Sequence, residues 1–485
     1  MSEIYDLIVI GGGSAGLVVA GGAATLGAKI ALIEKRALGG DCLYTGCVPS
    51  KALIRSARFA ADVKKAKEFG FEIENINFAE NSFASITNRI SRVIKTIEPH
   101  DSPQRFEKMG VEVVFGSPRF LNPTEVEIEL KDGGKRQMRA KRFCLSTGSS
   151  PTIPPVEGLQ EAGFLTNENV FELQALPRRL IILGGGAIGA ELGQSFARFG
   201  SKVTMVEMGD RLLAKEDIEV SDFMEKVFRD EGIEILTQTK ATGVRIENGK
   251  KVLIVEKNSK KSEIEADEIL VATGRKPNIE GLDLEKANVK FNEKRVETDE
   301  FLRTSARHIF AAGDVTGHYQ FTHTADYEGQ IVIQNAFLFY GLRKKTDFRV
   351  VPWATFTSPE IGRVGLTESE AREKFGDGVK IYKITFDEND RAQTDDEAIG
   401  FAKVVCKQSG EIVGAHLVGA SGGELIHEFV WAMKKRLRIS QLNEIIRVYP
   451  TLSKITQAVG TEATLENLKS PFVQKWFAKY LKVWR

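Results

Sequence analysis

The sequence predicts an α/β fold, with two Rossmann-like parallel-sheet units followed by a C-terminal domain of different texture. Three observations carry this. Near the start, the apolar run Leu7-Ile8-Val9-Ile10 enters the glycine-rich turn Gly11-Gly12-Gly13-Ser14-Ala15-Gly16. The same device returns where Leu180-Ile181-Ile182-Leu183 leads into Gly184, Gly186 and Gly189. From Val351-Pro352 onward, strand and helix patterns continue without any such turn. At 485 residues the chain also exceeds what one hydrophobic core organises, so several domains are expected.

The first run reads as a buried strand, and the small-residue stretch reaching Gly27 reads as a helix. A G-x-G-x-x-G turn between such a strand and helix is the dinucleotide fingerprint. Gly11 permits the tight turn, Gly13 lets the backbone approach a pyrophosphate, and Gly16 brings helix and strand together. The helix N-terminus then faces the anionic phosphates. A second strand, Lys29 to Ile33, ends in Glu34, placed to accept hydrogen bonds from a ribose diol. In the later copy Val203-Thr204-Met205-Val206 ends in Glu207, and Gly186 lies as far from Glu207 as Gly13 from Glu34. One glycine motif is a weak signal; two copies in the same register specify two dinucleotide sites. A carboxylate at Glu207 suits the free ribose hydroxyls of NAD and repels the extra phosphate of NADP. NAD(H) is therefore expected over NADP(H), with Arg211 nearby as a counterweight.

Composition removes other classes. Lysine and arginine number 67 against 66 acidic residues, which gives no electrostatic reason for a nucleic-acid partner. Four cysteines in a chain this long are not a disulfide scaffold and point to a reducing compartment. The stretch from Leu7 to Ala28 is uncharged, but seven of its residues are glycine and an acidic segment precedes it. That is neither a signal peptide nor a membrane span. A cytoplasmic protein is expected.

The chemistry-bearing stretch is Gly39-Gly40-Asp41-Cys42-Leu43-Tyr44-Thr45-Gly46-Cys47-Val48-Pro49-Ser50-Lys51. Four residues separate the cysteines, a loop short enough for a disulfide. Pro49 suits the first turn of a following helix, which sets Cys47 near a helix N-terminus. The partial positive charge there, with Lys51 one turn on, favours a thiolate. Two thiols that are merely neighbours, or a metal pair, are the alternatives. No histidine or third cysteine lies close by in sequence to complete a metal site, and none is expected. Cys144 and Cys406 sit in apolar, strand-like stretches and read as buried structural thiols.

With these residues in hand, the chain resembles the pyridine nucleotide-disulfide oxidoreductases, the family of dihydrolipoamide dehydrogenase, glutathione reductase and mercuric reductase. The resemblance runs from Tyr5 to about Val459. It rests on the cysteine pair followed by V-P-S-K, on Thr304 through Ile309-Phe310-Ala311-Ala312-Gly313-Asp314, and on Ser146-Thr147-Gly148 and Ala272-Thr273-Gly274-Arg275. It implies an FAD-binding domain from 1–150 and 275–345, an NAD-binding domain over 151–274, an α+β dimerisation domain over 346–465, and a homodimer. It implies that Gly11, Gly13, Gly16, Glu34, Lys51, Thr147, Gly148 and Asp314 serve FAD. Gly184, Gly186, Gly189, Glu207 and Gly274 would serve the nicotinamide nucleotide. Lys51 would sit at the flavin edge, ion-paired with Glu191. Cys47 would face the flavin, and Cys42 would exchange with a thiol or disulfide substrate.

One departure stands out. Where dihydrolipoamide dehydrogenase and glutathione reductase carry His-Pro and then a glutamate, this chain reads Val448-Tyr449-Pro450-Thr451-Leu452-Ser453-Lys454, and no histidine follows His427. Tyrosine titrates near ~10, too high for ordinary proton transfer at neutral pH. Mercuric reductase also has tyrosine there, but it adds a C-terminal cysteine pair, and no cysteine follows Val459 here. Tyr449, with Lys454 about one turn on, is expected either to bind a substrate other than lipoamide or only to fill space. The readings carried forward are an NADH-dependent reductase of a disulfide or related sulfur compound, a reductase of thiophilic metal ions, and a non-enzymatic redox sensor.

In the tail, 466–485, Phe472, Val473, Trp476, Phe477, Tyr480, Leu481 and Trp484 repeat with helical period opposite Lys475, Lys479 and Lys482. A helix packed on the protein or its dimer partner is one expectation. Peripheral contact with a membrane surface is the other.

Overall fold

The computed structural model describes residues 4–72 and 82–484. By packing, the chain forms two compact units, Met1–Met208 with Thr239–Asp347, and Gly209–Gln238 with Phe348–Arg485. These units cut across the sequence-expected segments at 209–238.

In the first unit, β1 (Leu7–Ile10) leads into α1 (Ser14–Thr25) and β2 (Ile30–Glu34). Helix α2 (Cys47–Lys64), strand β3 (Val111–Asn122) and strand β4 (Phe143–Leu145) follow. The second nucleotide-type motif is β5 (Arg179–Leu183), α3 (Ala187–Phe199) and β6 (Lys202–Val206), joined by β7 (Glu268–Val271). The unit is completed by β8 (Ile309–Ala311) and α4 (Thr322–Phe337).

The larger sheet holds a parallel core in the order β3-β2-β1-β4-β8, with Leu7 opposite Ile30 and Val9 opposite Cys144. Every residue of β1 is buried, as a parallel strand covered on both faces requires. Alternation assigns the faces: Leu7, Val9, Leu32, Cys144 and Phe310 join one core, and Ile8, Ile10, Ile33, Leu145 and Ile309 the other. The smaller sheet sets β7, β5 and β6 side by side, all parallel. Two Rossmann-like motifs are thus present, as the repeated glycine turns predict.

The second unit is built on an antiparallel sheet: β9 (Pro352–Thr355), β10 (Glu360–Gly365), β11 (Val379–Thr385), β12 (Phe401–Lys407) and β13 (Ile412–Gly419), in the order β9-β10-β13-β12-β11. The helix Gly422–Lys434 and α5 (Lys454–Leu468) contribute Phe429, Ile455 and Val459 to its core, and Cys406 is fully buried there. Among the contacts that hold residues 209–238 to this unit is that of Lys403, whose ammonium is nearly buried. It meets Asp217 at 2.9 Å, Glu219 at 2.8 Å and Glu368 at 2.7 Å. Helix α6 (Pro471–Trp484) confirms the helical period of the tail. No helix among the described residues is long and apolar enough to cross a membrane.

Candidate active site

The two glycine turns fold alike in detail. Gly11 and Gly184 have φ of 104° and 106°, the left-handed region a tight strand-to-helix turn demands. A Cβ on Gly16 would lie 1.9 Å from the Gly11 carbonyl oxygen, and one on Gly189 2.1 Å from that of Gly184. Helix and turn can approach so closely only with hydrogen at these positions. A Cβ at Gly186, by contrast, would meet no atom within 4 Å, so this backbone faces open space at the N-terminus of α3. The strand-end acids are also matched. Glu34 accepts from the Gly12 amide at 2.7 Å and the Arg36 amide at 2.6 Å, and Glu207 accepts from the Gly185 amide at 2.7 Å. Each carboxylate is therefore pinned beside its turn, ready for a hydroxyl pair.

The redox candidates converge at the start of α2. Cys47 is its first residue, following Gly46, and Pro49 lies in the first turn as predicted. The preceding loop is tied down. Thr45 donates its hydroxyl to Asp41 at 2.5 Å, and the Asn167 amide donates to Asp41 at 3.1 Å and to the Thr45 carbonyl at 3.0 Å. The Cys47 Sγ lies 3.3 Å from the hydroxyl of Thr322, the first residue of α4. Two helix N-termini thus meet at one sulfur, and both favour negative charge there.

The two thiols are held very unequally. The hydrogen bond from Cys42 is the largest influence on Cys47; burial opposes it, and the Thr322 hydroxyl and Lys51 ammonium act with it. Together they bring the Cys47 thiol down to about 6. The same hydrogen bond, with burial and the neighbouring negative charge, pushes Cys42 well above its ordinary value. The reduced pair therefore shares one proton, resting mainly on Cys42 with the thiolate on Cys47. In the chain by itself Cys47 is exposed and Cys42 half-buried.

Lys51 Nζ lies 2.9 Å from Glu191 Oε2, and Glu191 is buried in α3, so the expected ion pair is present. Asp314 follows β8, accepts from the Ser149 hydroxyl at 2.5 Å, and has Arg275 Nε at 3.8 Å. Burial pushes its carboxyl upward against those partners. Arg275 also reaches Asp41 at 3.1 Å, linking the Asp314 region to the cysteine loop. Thr147 donates to the Asn278 carbonyl at 2.6 Å, and Gly148 and Gly274 adopt φ of 72° and 124°. At the first turn of α4 the Thr324 hydroxyl is buried with no hydrogen-bond partner among the described residues. Open space at Gly186, pinned acids and this orphaned hydroxyl fit a nucleotide at each turn.

Tyr449 belongs to the second unit. It is 66% exposed and donates its hydroxyl to Asp390 at 2.9 Å. Lys454 meets Gln457 at 2.6 Å. Both line a cleft of about 470 Å³ with Asp390, Arg391, Asn389 and Glu462. Bonding to the Asp390 carboxylate raises the Tyr449 pKa further. Thr322, Asn167 and Ser149 escaped the sequence reading, and Arg275 entered it only as part of the Ala272-Thr273-Gly274-Arg275 motif, with no role assigned. Only Thr322 carried a usable signal, a hydroxyl opening a helix shortly after the Gly313-Asp314 motif. Among the described residues no group of three or more His, Cys, Asp or Glu is arranged to hold a metal ion.

Comparison with known proteins agrees with this geometry. Residues 5–329 match the pyridine nucleotide-disulphide oxidoreductase family, and 351–459 match its dimerisation domain. A mercuric reductase of Staphylococcus aureus is 36% identical over 454 residues, 93% of this chain and 81% of that protein. A dihydrolipoyl dehydrogenase of Bacillus subtilis (strain 168) is 33% identical over 449 residues, covering 92% and 96%. Among solved structures, the Cu(II) complex of the HOCl-induced flavoprotein disulfide reductase RclA from Escherichia coli superposes with a TM-score of 0.84. It is 28% identical, over 95% of this chain and 99% of that one. Two matched nucleotide turns, a polarised cysteine pair and these likenesses place the chain in the pyridine nucleotide-disulphide oxidoreductase family, flavoprotein oxidoreductases that use FAD and NAD(P)H.

Proposed function

We propose that the protein is an NADH-dependent disulfide reductase whose working centre is the Cys42–Cys47 pair. The unequal hold on the two sulfurs carries this reading. In the proposal, Gly11, Gly13, Gly16, Glu34, Thr147, Gly148 and Asp314 hold FAD, and Gly184, Gly186, Gly189, Glu207 and Gly274 hold NADH. Bound FAD supplies the transfer of two electrons from the nicotinamide to the cysteine disulfide. The expected functional segments, 1–150 with 275–345, 151–274 and 346–465, and a homodimer formed through the last of these, belong to the same proposal.

The exchange steps follow from the pKa order. When its proton passes to Cys47, Cys42 becomes the more basic and more nucleophilic thiolate. It attacks one sulfur of a disulfide substrate; that S–S bond breaks, and the first thiol leaves with a proton. Cys47, again a thiolate, attacks the Cys42 sulfur of the mixed disulfide. The second thiol leaves, and the Cys42–Cys47 bond forms. The balance is NADH, a proton and a disulfide giving NAD⁺ and two thiols. Lys51, held by Glu191, offsets the negative charge on Cys47 between turnovers.

Tyr449 bears on the acceptor. A hydroxyl already donating to a carboxylate, with its pKa raised, does not collect a proton from a thiol near neutral pH. This argues against dihydrolipoamide as substrate, and in the proposal Tyr449 serves to bind the acceptor. A second reading, reduction of a thiophilic metal ion, is favoured by the mercuric reductase likeness and by the Cu(II) complex of the solved neighbour.

The test is anaerobic NADH consumption with a panel of small disulfides, Hg(II) and Cu(II), in the natural chain and in Cys42→Ser. Disulfide-dependent consumption abolished in Cys42→Ser supports the proposal. Consumption with metal ions alone transfers it to the second reading, and disulfide turnover that survives the substitution refutes the proposal. Unchanged turnover in Tyr449→Phe removes Tyr449 from the acceptor site.

A further inference from the structure

We infer that α6 is a docking helix for the surface of an anionic lipid bilayer. It starts at Pro471, beyond the end of the dimerisation match at residue 459. None of its described residues is buried. An ordinary surface helix hides its apolar stripe against the core, and this one leaves it in solvent. Phe472 is 80% exposed, Trp484 76% and Trp476 57%, with Phe477, Tyr480 and Leu481 between 44% and 50%.

At 3.6 residues per turn these side chains, with Val473 and Val483, cover about half the helix circumference, and Lys475, Lys479 and Lys482 cover the other side. The aromatic rings stack on one another. Trp476 and Tyr480 lie nearly parallel at 5.7 Å, Tyr480 and Trp484 are tilted to each other at 6.0 Å, and Trp476 and Phe477 meet edge to face at 5.8 Å. Tryptophan and tyrosine suit a boundary that is apolar on one side and wet on the other.

Charge selects the occupant. Between residues 467 and 485 the chain has Lys469, Lys475, Lys479, Lys482 and Arg485, and no acidic residue. Two copies packed through their apolar halves would leave the lysines of both in water, so such a pairing makes no use of the charge. An anionic bilayer answers both faces at once: its headgroups take the lysines, and its acyl boundary takes the aromatic half. The helix has 14 residues and carries lysines, so it lies in the interface and does not span.

The experiment is co-sedimentation of the full chain with phosphatidylglycerol-containing vesicles and with pure phosphatidylcholine vesicles. It is repeated with Trp476→Glu/Phe477→Glu, with Lys475→Gln/Lys479→Gln, and with a chain ending at residue 468. Gel filtration and NADH oxidation serve as controls for fold and assembly. The inference expects binding to anionic vesicles that salt weakens. The lysine pair should weaken it about thirtyfold, since each basic residue near such a surface contributes about fivefold. The glutamate pair and the shortened chain should abolish it. No binding to anionic vesicles, or equal binding by the shortened chain, overturns the inference. So does a change of oligomeric state on shortening without vesicle binding, which assigns the helix to a second copy of the chain.

Discussion

Replacing Thr322 by alanine removes one hydroxyl from the surroundings of Cys47 and leaves Lys51 and both helix N-termini in place. The hydroxyl is 3.3 Å from the sulfur and is among the causes that bring the thiol down to about 6. A hydrogen bond to a charged group contributes roughly 1.5–3 kcal/mol, and partial exposure of this sulfur argues for the lower end. Each pKa unit corresponds to about 1.36 kcal/mol, so Thr322→Ala should raise the Cys47 pKa by about one. The sign is fixed: the thiolate is present above the pKa and lost as the pH falls through it. The natural protein should lose its thiolate near pH 6, the variant about one unit higher, and Thr322→Ser should behave as natural. The assay is the long-wavelength thiolate-to-flavin absorbance of the reduced enzyme, followed against pH. An unchanged midpoint in Thr322→Ala, or a serine variant that behaves like alanine, would refute the reasoning.

The remaining predictions concern the frame around this site. Lys51→Met leaves Glu191 buried without its ammonium. It should raise the Cys47 pKa and cost about 3 kcal/mol in denaturant unfolding, the low end for breaking a buried pair, because Lys51 is partly exposed. Gly189→Ala pushes a methyl against the Gly184 carbonyl; loss of about 3 kcal/mol and weakened NADH binding in a fluorescence titration are expected. Lys403→Met takes the shared ammonium from Asp217, Glu219 and Glu368, while Glu219 keeps Lys383 and Glu368 keeps Arg372. Burial pushes these carboxyls up, but hydrogen bonds and the Lys403 charge override it and hold them below the usual range. Their stabilisation is present above the unfolded carboxylate pKa of about 4 and fades on acidification. The variant should therefore lose about 3–5 kcal/mol at neutral pH, and its stability should depend less on pH below about 5.

Much of the first unit is legible in the sequence because its causes are local. A parallel strand buried on both faces must read as an unbroken apolar run, and Leu7–Ile10 and Leu180–Leu183 do. A helix that starts against the carbonyl of its own turn must carry glycine there, as Gly16 and Gly189 do. The Lys51–Glu191 pair was accessible through the family resemblance alone, since nothing local ties α2 to α3. The grouping of 209–238 with the second unit rests on contacts from far along the chain, Lys403 gathering carboxylates, Trp353 donating to Glu216 and Phe401 meeting Phe223 among them. No periodicity registers such a cluster. Thr322 carried only the signal of a hydroxyl opening a helix, which normally reads as a cap, and the fold alone brings it to Cys47.

The central claim is that Cys42 and Cys47 form the working disulfide. The most direct test is anaerobic titration of the oxidised protein with NADH, followed by absorbance. A long-wavelength thiolate-to-flavin band, appearing while most of the flavin stays oxidised, is the predicted result. Immediate bleaching of the flavin without that band would contradict the claim and leave a plain NADH–flavin reductase or a redox sensor.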